Sequence, residues 1–320
     1  MKIVDLQEGH LQEASMLALA NYKEERKQVP VLPEKEQIPD LTMFANNGLG
    51  VAALDEDGCL LGFLGCFEPW DNAFDSEAKG TFSPIHAHGA VKEKRAEIYK
   101  RMYQYAADKW VKHQITYHGI ALYAHDLDVI GAFFQYGFGL RCVDAIRDMG
   151  QIELSGCRKE QESNMEFREL QKEEIPLVRE VRRMLSDHLG ESPCFMYSSE
   201  SDFASWIQRA EQRDSRLFAA LQEKNVVAFY EVNGIGENFA TWTPDMKSIC
   251  GAFCLPEYRG TGISQELLNY VIATLKEEGI QRLGVDFESF NPAGCTFWLK
   301  YFDAYTNSVV RRIDECAIHE

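Results

Sequence analysis

No stretch of the sequence approaches the roughly 18 apolar residues of a membrane-spanning helix. The opening segment MKIVDLQEGH has neither the apolar run nor the small-residue cleavage site of a secretory signal. A cytoplasmic chain with no membrane partner is therefore expected. Positive charge is scarce too: 33 Lys and Arg stand against 50 Asp and Glu, a formal net charge of −17. A protein that coats nucleic acid needs a basic surface for the phosphates, so no nucleic-acid partner is expected. Charge of this sign suits a cationic or amine substrate, although it also serves solubility alone. Nine cysteines are present, an odd number without a C-x-x-C pair, Cys250 and Cys254 being the closest spaced. In a long chain without a secretory signal they read as reduced, buried thiols. His86 and His88 lack a third ligand nearby in sequence, so no metal site is expected.

What is there is enough chain for two domains: 320 residues, 45% hydrophobic and 26% charged, an ordinary globular composition. An internal repeat organises it. Met1-Lys2-Ile3-Val4-Asp5-Leu6-Gln7 resembles Met165-Glu166-Phe167-Arg168-Glu169-Leu170-Gln171, an offset of 164. The same offset sets Arg95 against Arg259, the aromatic run from Ala132 to Phe138 against that from Thr296 to Phe302, and Ile146-Arg147-Asp148 against Val310-Arg311-Arg312. The chain reads as a duplicated fold: a first domain over 1–154, a polar linker over 155–164 and a second domain over 165–320.

Within the second copy, periodicity predicts a strand over 165–171, a helix over 175–189, and a helix over 201–212 capped by Ser201-Asp202. Strands follow over 217–221 and 226–232, joined at Glu223-Lys224-Asn225. A strand over 248–255 stops at Pro256. Ile263, Leu267, Leu268, Val271, Ile272 and Leu275 form one stripe of a helix over 263–278, which Gly279 ends. A strand over 283–288, a helix from Asn291-Pro292 through Lys300 and a strand over 307–313 complete an α/β order with a mixed sheet.

The chemistry points to Arg259-Gly260-Thr261-Gly262-Ile263-Ser264, where a strand ends and the long helix begins. Successive N–H groups at a helix start, together with the helix dipole, attract an anion. Glycine lets a phosphate approach the backbone, and Arg259 adds a permanent positive charge. A plain strand–turn–helix connection remains the alternative on these residues alone.

The segment resembles the pyrophosphate loop of the GCN5-related N-acetyltransferases, Arg-x-x-Gly-x-Gly/Ala, with Ser264 in the last small position. The family's second signature is similar to Asn291 followed by Phe297-Trp298, where Trp298 replaces the Tyr of a Phe-Tyr pair. The resemblance covers 165 to about 314, and the whole chain is similar to tandem members of the family seen in Gram-positive bacteria. It implies two tandem domains, each a mixed, mostly antiparallel sheet flanked by helices. The implied activity is acetyl-CoA-dependent acyl transfer, without a metal, to an amine of a small molecule or peptide that attacks the thioester directly. Acetyl-CoA would lie between two splayed strands, with backbone near Phe253 and Leu255 on the pantetheine, Arg259 to Ser264 on the diphosphate and Asn291 orienting the arm.

The attacking amine must lose a proton, since an alkylammonium titrates near 10.4. Strand alternation puts Asp286 and Glu288 on one face, which makes them the expected bases, with Glu231 behind them. Each also reads as a solvated strand end. Trp298 cannot protonate the leaving thiolate; Tyr301, nearly one turn on, is the substitute, unless it is merely a packed aromatic. In the first copy Arg95-Ala96-Glu97-Ile98 stands where the loop would be, so that domain is expected to be degenerate. A non-catalytic acyl-CoA-binding module is the alternative function.

Overall fold

The computed structural model describes residues 1–154, 164–212, 215–234 and 236–318. Nearly all of the expected linker, 155–163, lies outside the described residues. In chain order they form β1 (Lys2–Asp5), α1 (Leu11–Gln28), α2 (Thr42–Asn46), β2 (Val51–Leu54), β3 (Leu60–Leu64), β4 (Gly80–Ser83), β5 (His88–Ala90), α3 (Arg95–Lys112), β6 (Tyr117–Tyr123), α4 (Leu127–Gln135) and β7 (Gly139–Asp148). These are followed by β8 (Met165–Glu169), α5 (Arg179–Gly190), α6 (Glu200–Ala204), α7 (Trp206–Gln212), β9 (Arg216–Gln222), β10 (Asn225–Asn233), β11 (Met246–Cys254), α8 (Ile263–Glu277), β12 (Arg282–Glu288), α9 (Pro292–Tyr301) and β13 (Asp303–Arg312). Among the described residues no helix is long and apolar enough to cross a membrane. The order recurs at the sequence offset: the bounds of β7, shifted by 164, become 303 and 312, the bounds of β13.

Two compact units divide within β7: residues 1–144, 238–240 and 304–320 form the first, 145–237 and 241–303 the second. In the first, β1, β2, β3 and β5 make an antiparallel sheet. β6 pairs parallel with β4 and antiparallel with β13, so the strand read at 307–313 belongs to this unit. α3 buries Ile98, Met102, Ala106 and Trp110 at helical spacing, in a core that also takes Val309 of β13.

The second unit orders its strands β12-β11-β10-β9-β8, parallel at β11/β12 and antiparallel elsewhere. α5 and α7 cover one face, where Val181, Leu185 and Trp206 meet Phe229 and Phe253. α8 lies on the other, with Tyr270 against Phe218. The helix expected over 175–189 opens as a 3-10 segment over Lys172–Val178; it contains Pro176, whose ring would clash with the carbonyl one α-helical turn back. The one expected over 201–212 is two helices parted at Ser205, and its cap is Ser199, whose side chain accepts from the Asp202 N–H. Between β9 and β10 the chain reverses through Glu223 and Lys224, both at positive φ, as a two-residue hairpin turn requires.

Candidate functional site

The site begins where a sheet comes apart. β11 pairs with β12 from Met246↔Arg282 to Ile249↔Val285. β11 then continues to Cys254 and β12 to Glu288, each along its own path. On the other side of β11, the register against β10 steps from Glu231↔Gly251 to Val232↔Ile249, leaving Cys250 as a bulge. A bulge bends its strand, and here it does so at the residue where the two strands part. Antiparallel alternation turns the backbone groups of Ala252 and Cys254 to the open edge. The Leu255 N–H is donated to Val227 O at 2.9 Å, away from that edge. Phe253 lines the cleft.

At the mouth of the gap the chain turns through Gly260 (φ 77°) and Gly262 (φ 98°), both in the left-handed region that favours glycine. Gly262 is the N-cap of α8 and has no side chain to cap it, so the first N–H groups of the helix face the mouth. Thr261 Oγ1 donates to Tyr258 O at 2.7 Å and holds the loop, while Ile263 is fully buried beneath it. Arg259 is anchored by Nε to Cys254 O at 3.0 Å, its guanidinium 5.1 Å from the Phe253 ring centre. Such an end binds anions through fixed N–H groups and the helix dipole.

A cavity of about 310 Å³ runs from this loop into the gap. Of the expected binding residues, Phe253, Arg259, Gly260, Gly262, Ser264 and Asn291 line it; Leu255, Thr261 and Ile263 do not. Asn291 caps α9, its Oδ1 accepting from the Gly294 N–H at 3.2 Å. Sequence reasoning missed Tyr230, Leu185 and His188, which also line the cavity. Tyr230 is buried and donates to Ser264 O at 2.9 Å, and burial pushes its hydroxyl far above the ordinary phenol range. An apolar strand position and a helix stripe are all these residues show in sequence.

The expected catalytic residues are divided. Tyr301 does not line this cavity but touches two residues that do: its hydroxyl accepts from Gln265 Nε2 at 3.0 Å and its ring centre is 5.2 Å from that of Phe297. It also lines a second hollow with Arg147 and Lys300. Trp298 is buried against Tyr230, with ring centres 5.7 Å apart. Asp286 and Glu288 are half-buried beyond the last residue of β12 paired with β11. Cross-strand partners share a face, and alternate residues of one strand do too. Glu231 therefore shares a face with Asn233, Asn233 with Ser248, Ser248 with Gly284, and Gly284 with Asp286 and Glu288. All three carboxylates lie on the α5/α7 face of the sheet, and none of them lines the cavity.

The corresponding segment of the first unit is built otherwise. α3 begins at Arg95, so Arg95 to Ile98, opposite Arg259 to Gly262, are wound into the helix itself. Arg95 is held by Glu24 at 2.8 Å and Asp126 at 3.1 Å, and Ile98 packs against Gly62 of β3. Its charge is spent within the unit. His88 is a packing residue: its ring nitrogens meet Tyr99 and Ala121 O. Among the described residues no group of three or more His, Cys, Asp or Glu is placed to hold a metal.

Compared with known proteins, residues 182–303 match the Acetyltransferase (GNAT) family. Over the whole chain the fold is similar to that of solved GCN5-related N-acetyltransferases. A member from Sphaerobacter thermophilus superposes with a TM-score of 0.58 at 11% identity, covering 97% of this chain and 95% of that one. A GCN5-related glucosamine N-acetyltransferase region of a fungal multi-domain GH3 beta-N-acetylglucosaminidase is similar at a TM-score of 0.52 and 10% identity, over 97% of this chain and 38% of that one. No curated protein sequence matches the chain.

Proposed function

We propose that the second unit transfers an acetyl group from acetyl-CoA to an amine of a small molecule or peptide by direct attack on the thioester. The observation that carries this reading is the parting of β11 and β12 at the foot of an uncapped helix start. One end of the gap suits a diphosphate, and the other closes at Ile249 and Val285, where nothing longer passes. The pantetheine arm would run along the edge of Ala252 and Cys254, with Asn291 and Trp298 opposite. The amine would arrive from the α5/α7 face, where Glu231, Asp286 and Glu288 attract a cation. Holding the two reactants in line supplies much of the rate gain. The test is release of free CoA thiol from acetyl-CoA with a panel of amines.

Trp298 favours a second reading. Its indole N–H is no acid, so nothing at that position protonates the thiolate. A non-catalytic acyl-CoA-binding module would bind acetyl-CoA in a calorimeter and release no thiol with any amine.

On either reading each chain binds one acetyl-CoA, because Arg95 is neutralised and the loop of the first unit is helix. A calorimetric titration is expected to give a stoichiometry of about one. Two equivalent sites would place a working loop in the first unit, against the helix seen there.

A further inference from the structure

Building on the acetyl-transfer reading, we propose that Glu231 is the catalytic carboxylate that takes the proton from the attacking amine, and that Trp206 is its positioning residue. Three observations converge. Glu231 lies across from Gly251, next to the Cys250 bulge, at the closed foot of the gap where the thioester would end. Gly251 leaves the room this needs: a Cβ there would stand 3.3 Å from Glu231 Oε2 and 3.4 Å from its Cβ. The carboxylate thus lies over the strand at the point where the strands part. Finally, Glu231 is only 6% exposed, on an interior strand flanked by β9 and β11. Burying a carboxylate is costly unless its charge is met.

Here the charge is met sparingly. Trp206 Nε1 donates to Oε2 at 3.0 Å from α7. From α5, the Arg182 guanidinium feels the carboxylate, which raises its proton affinity against the larger, lowering effect of its own burial. Arg182 Nε is buried without an acceptor, and Arg209 of α7 and Cys250 of β11 complete the charged and titratable surroundings. The partner on β9 is apolar Leu217. Asp286 and Glu288 share this face but are half-buried further along β12, where they would draw the ammonium in rather than reach the foot of the gap.

In the step, the bound ammonium gives one proton to Glu231, directly or through one water, which frees the lone pair. The nitrogen then bonds to the thioester carbonyl carbon, and its second proton leaves to solvent as the amide forms. The carbon–sulfur bond breaks with its electron pair on sulfur, and the thiolate takes a proton from solvent. The experiment measures CoA thiol release from acetyl-CoA with spermidine, lysine, glucosamine and a short peptide, alongside calorimetric binding of acetyl-CoA. Glu231→Gln is expected to lower kcat/KM by about 100-fold or more while acetyl-CoA affinity holds. Trp206→Phe keeps the carboxylate and removes one hydrogen bond to its charged form. Its expected signature is an acid limb of the pH–rate profile moved to higher pH, which lost packing alone does not produce. This variant also tests the assignment should Glu231→Gln not fold. A full rate in Glu231→Gln, or an unmoved limb in Trp206→Phe, overturns the assignment and leaves acetyl transfer standing. Should the unaltered protein bind acetyl-CoA yet release no thiol with any of these amines, transfer itself falls, and the role of Glu231 with it.

Discussion

Gly262→Glu is expected to abolish acetyl-CoA binding while the protein stays folded. Gly262 holds φ 98° at the N-cap of α8, so any L side chain there is strained by about 1–2 kcal/mol. The larger effect is electrostatic. The new carboxylate would stand where the diphosphate meets the helix start, and one close pair of like charges costs about 4 kcal/mol at an effective dielectric near 20. A loss of at least roughly 100-fold in affinity follows. Calorimetry measures it, and circular dichroism with a melting curve shows whether the fold survives. Unchanged affinity would remove the loop from the site. Gly260→Ala is a graded control: its Cβ would meet nothing within 4 Å, so only the backbone strain at φ 77° acts.

Acid is expected to unfold the first unit between pH 6.5 and about 4. His88 and His118 are buried in the same way: the Nε2–H of each donates to a carbonyl, of Ala121 at 2.6 Å and Ile115 at 3.0 Å. Each Nδ1 accepts a tyrosine hydroxyl, Tyr99 at 2.7 Å and Tyr103 at 2.9 Å. These partners suit only the neutral ring, and burial lowers both histidines from 6.5 to about 4. His86, also buried, is lowered to about 4 by the same cause. Between those values the unfolded chain takes up protons that the folded unit refuses, so stability falls as pH falls. The contribution is fully present above pH 6.5 and gone near pH 4, at about 3 kcal/mol for each histidine. Near-ultraviolet dichroism against pH follows the loss. A signal and melting temperature flat from pH 7 to 4.5 would show that these rings protonate in place.

Part of the site was legible because its signals are local. Two glycines between a strand and the stripe from Ile263 to Leu275 mark a turn into a helix, whatever the rest of the chain does. The bulge at Cys250 was not legible, since it depends on the register with β10 and no residue type demands it. The place of Glu231 across from Gly251, beside that bulge, follows from the same register. In the first unit, Ala96, Glu97 and Ile98 in place of glycines predicted a lost loop. They could not reveal that the helix would wind back through Arg95, or that Glu24, far off in sequence, would meet its charge. Ser199 was overlooked as a cap because Ser201-Asp202 shows the same pattern two residues on.

The pairing of β13 with β6 sets an order of assembly. As the chain leaves the ribosome, residues 1–144 emerge with the β13 side of β6 still bare, and Val309 absent from the core around Trp110. That side must wait about 165 residues for its neighbour, and every strand from β8 to β12 is made in the interval. Closing so long a loop is slow, and a bare strand edge invites pairing with other chains meanwhile. Cutting the gene near residue 160 would therefore not yield two independent halves. It would give one piece with an open edge and another carrying a strand that lacks its partner.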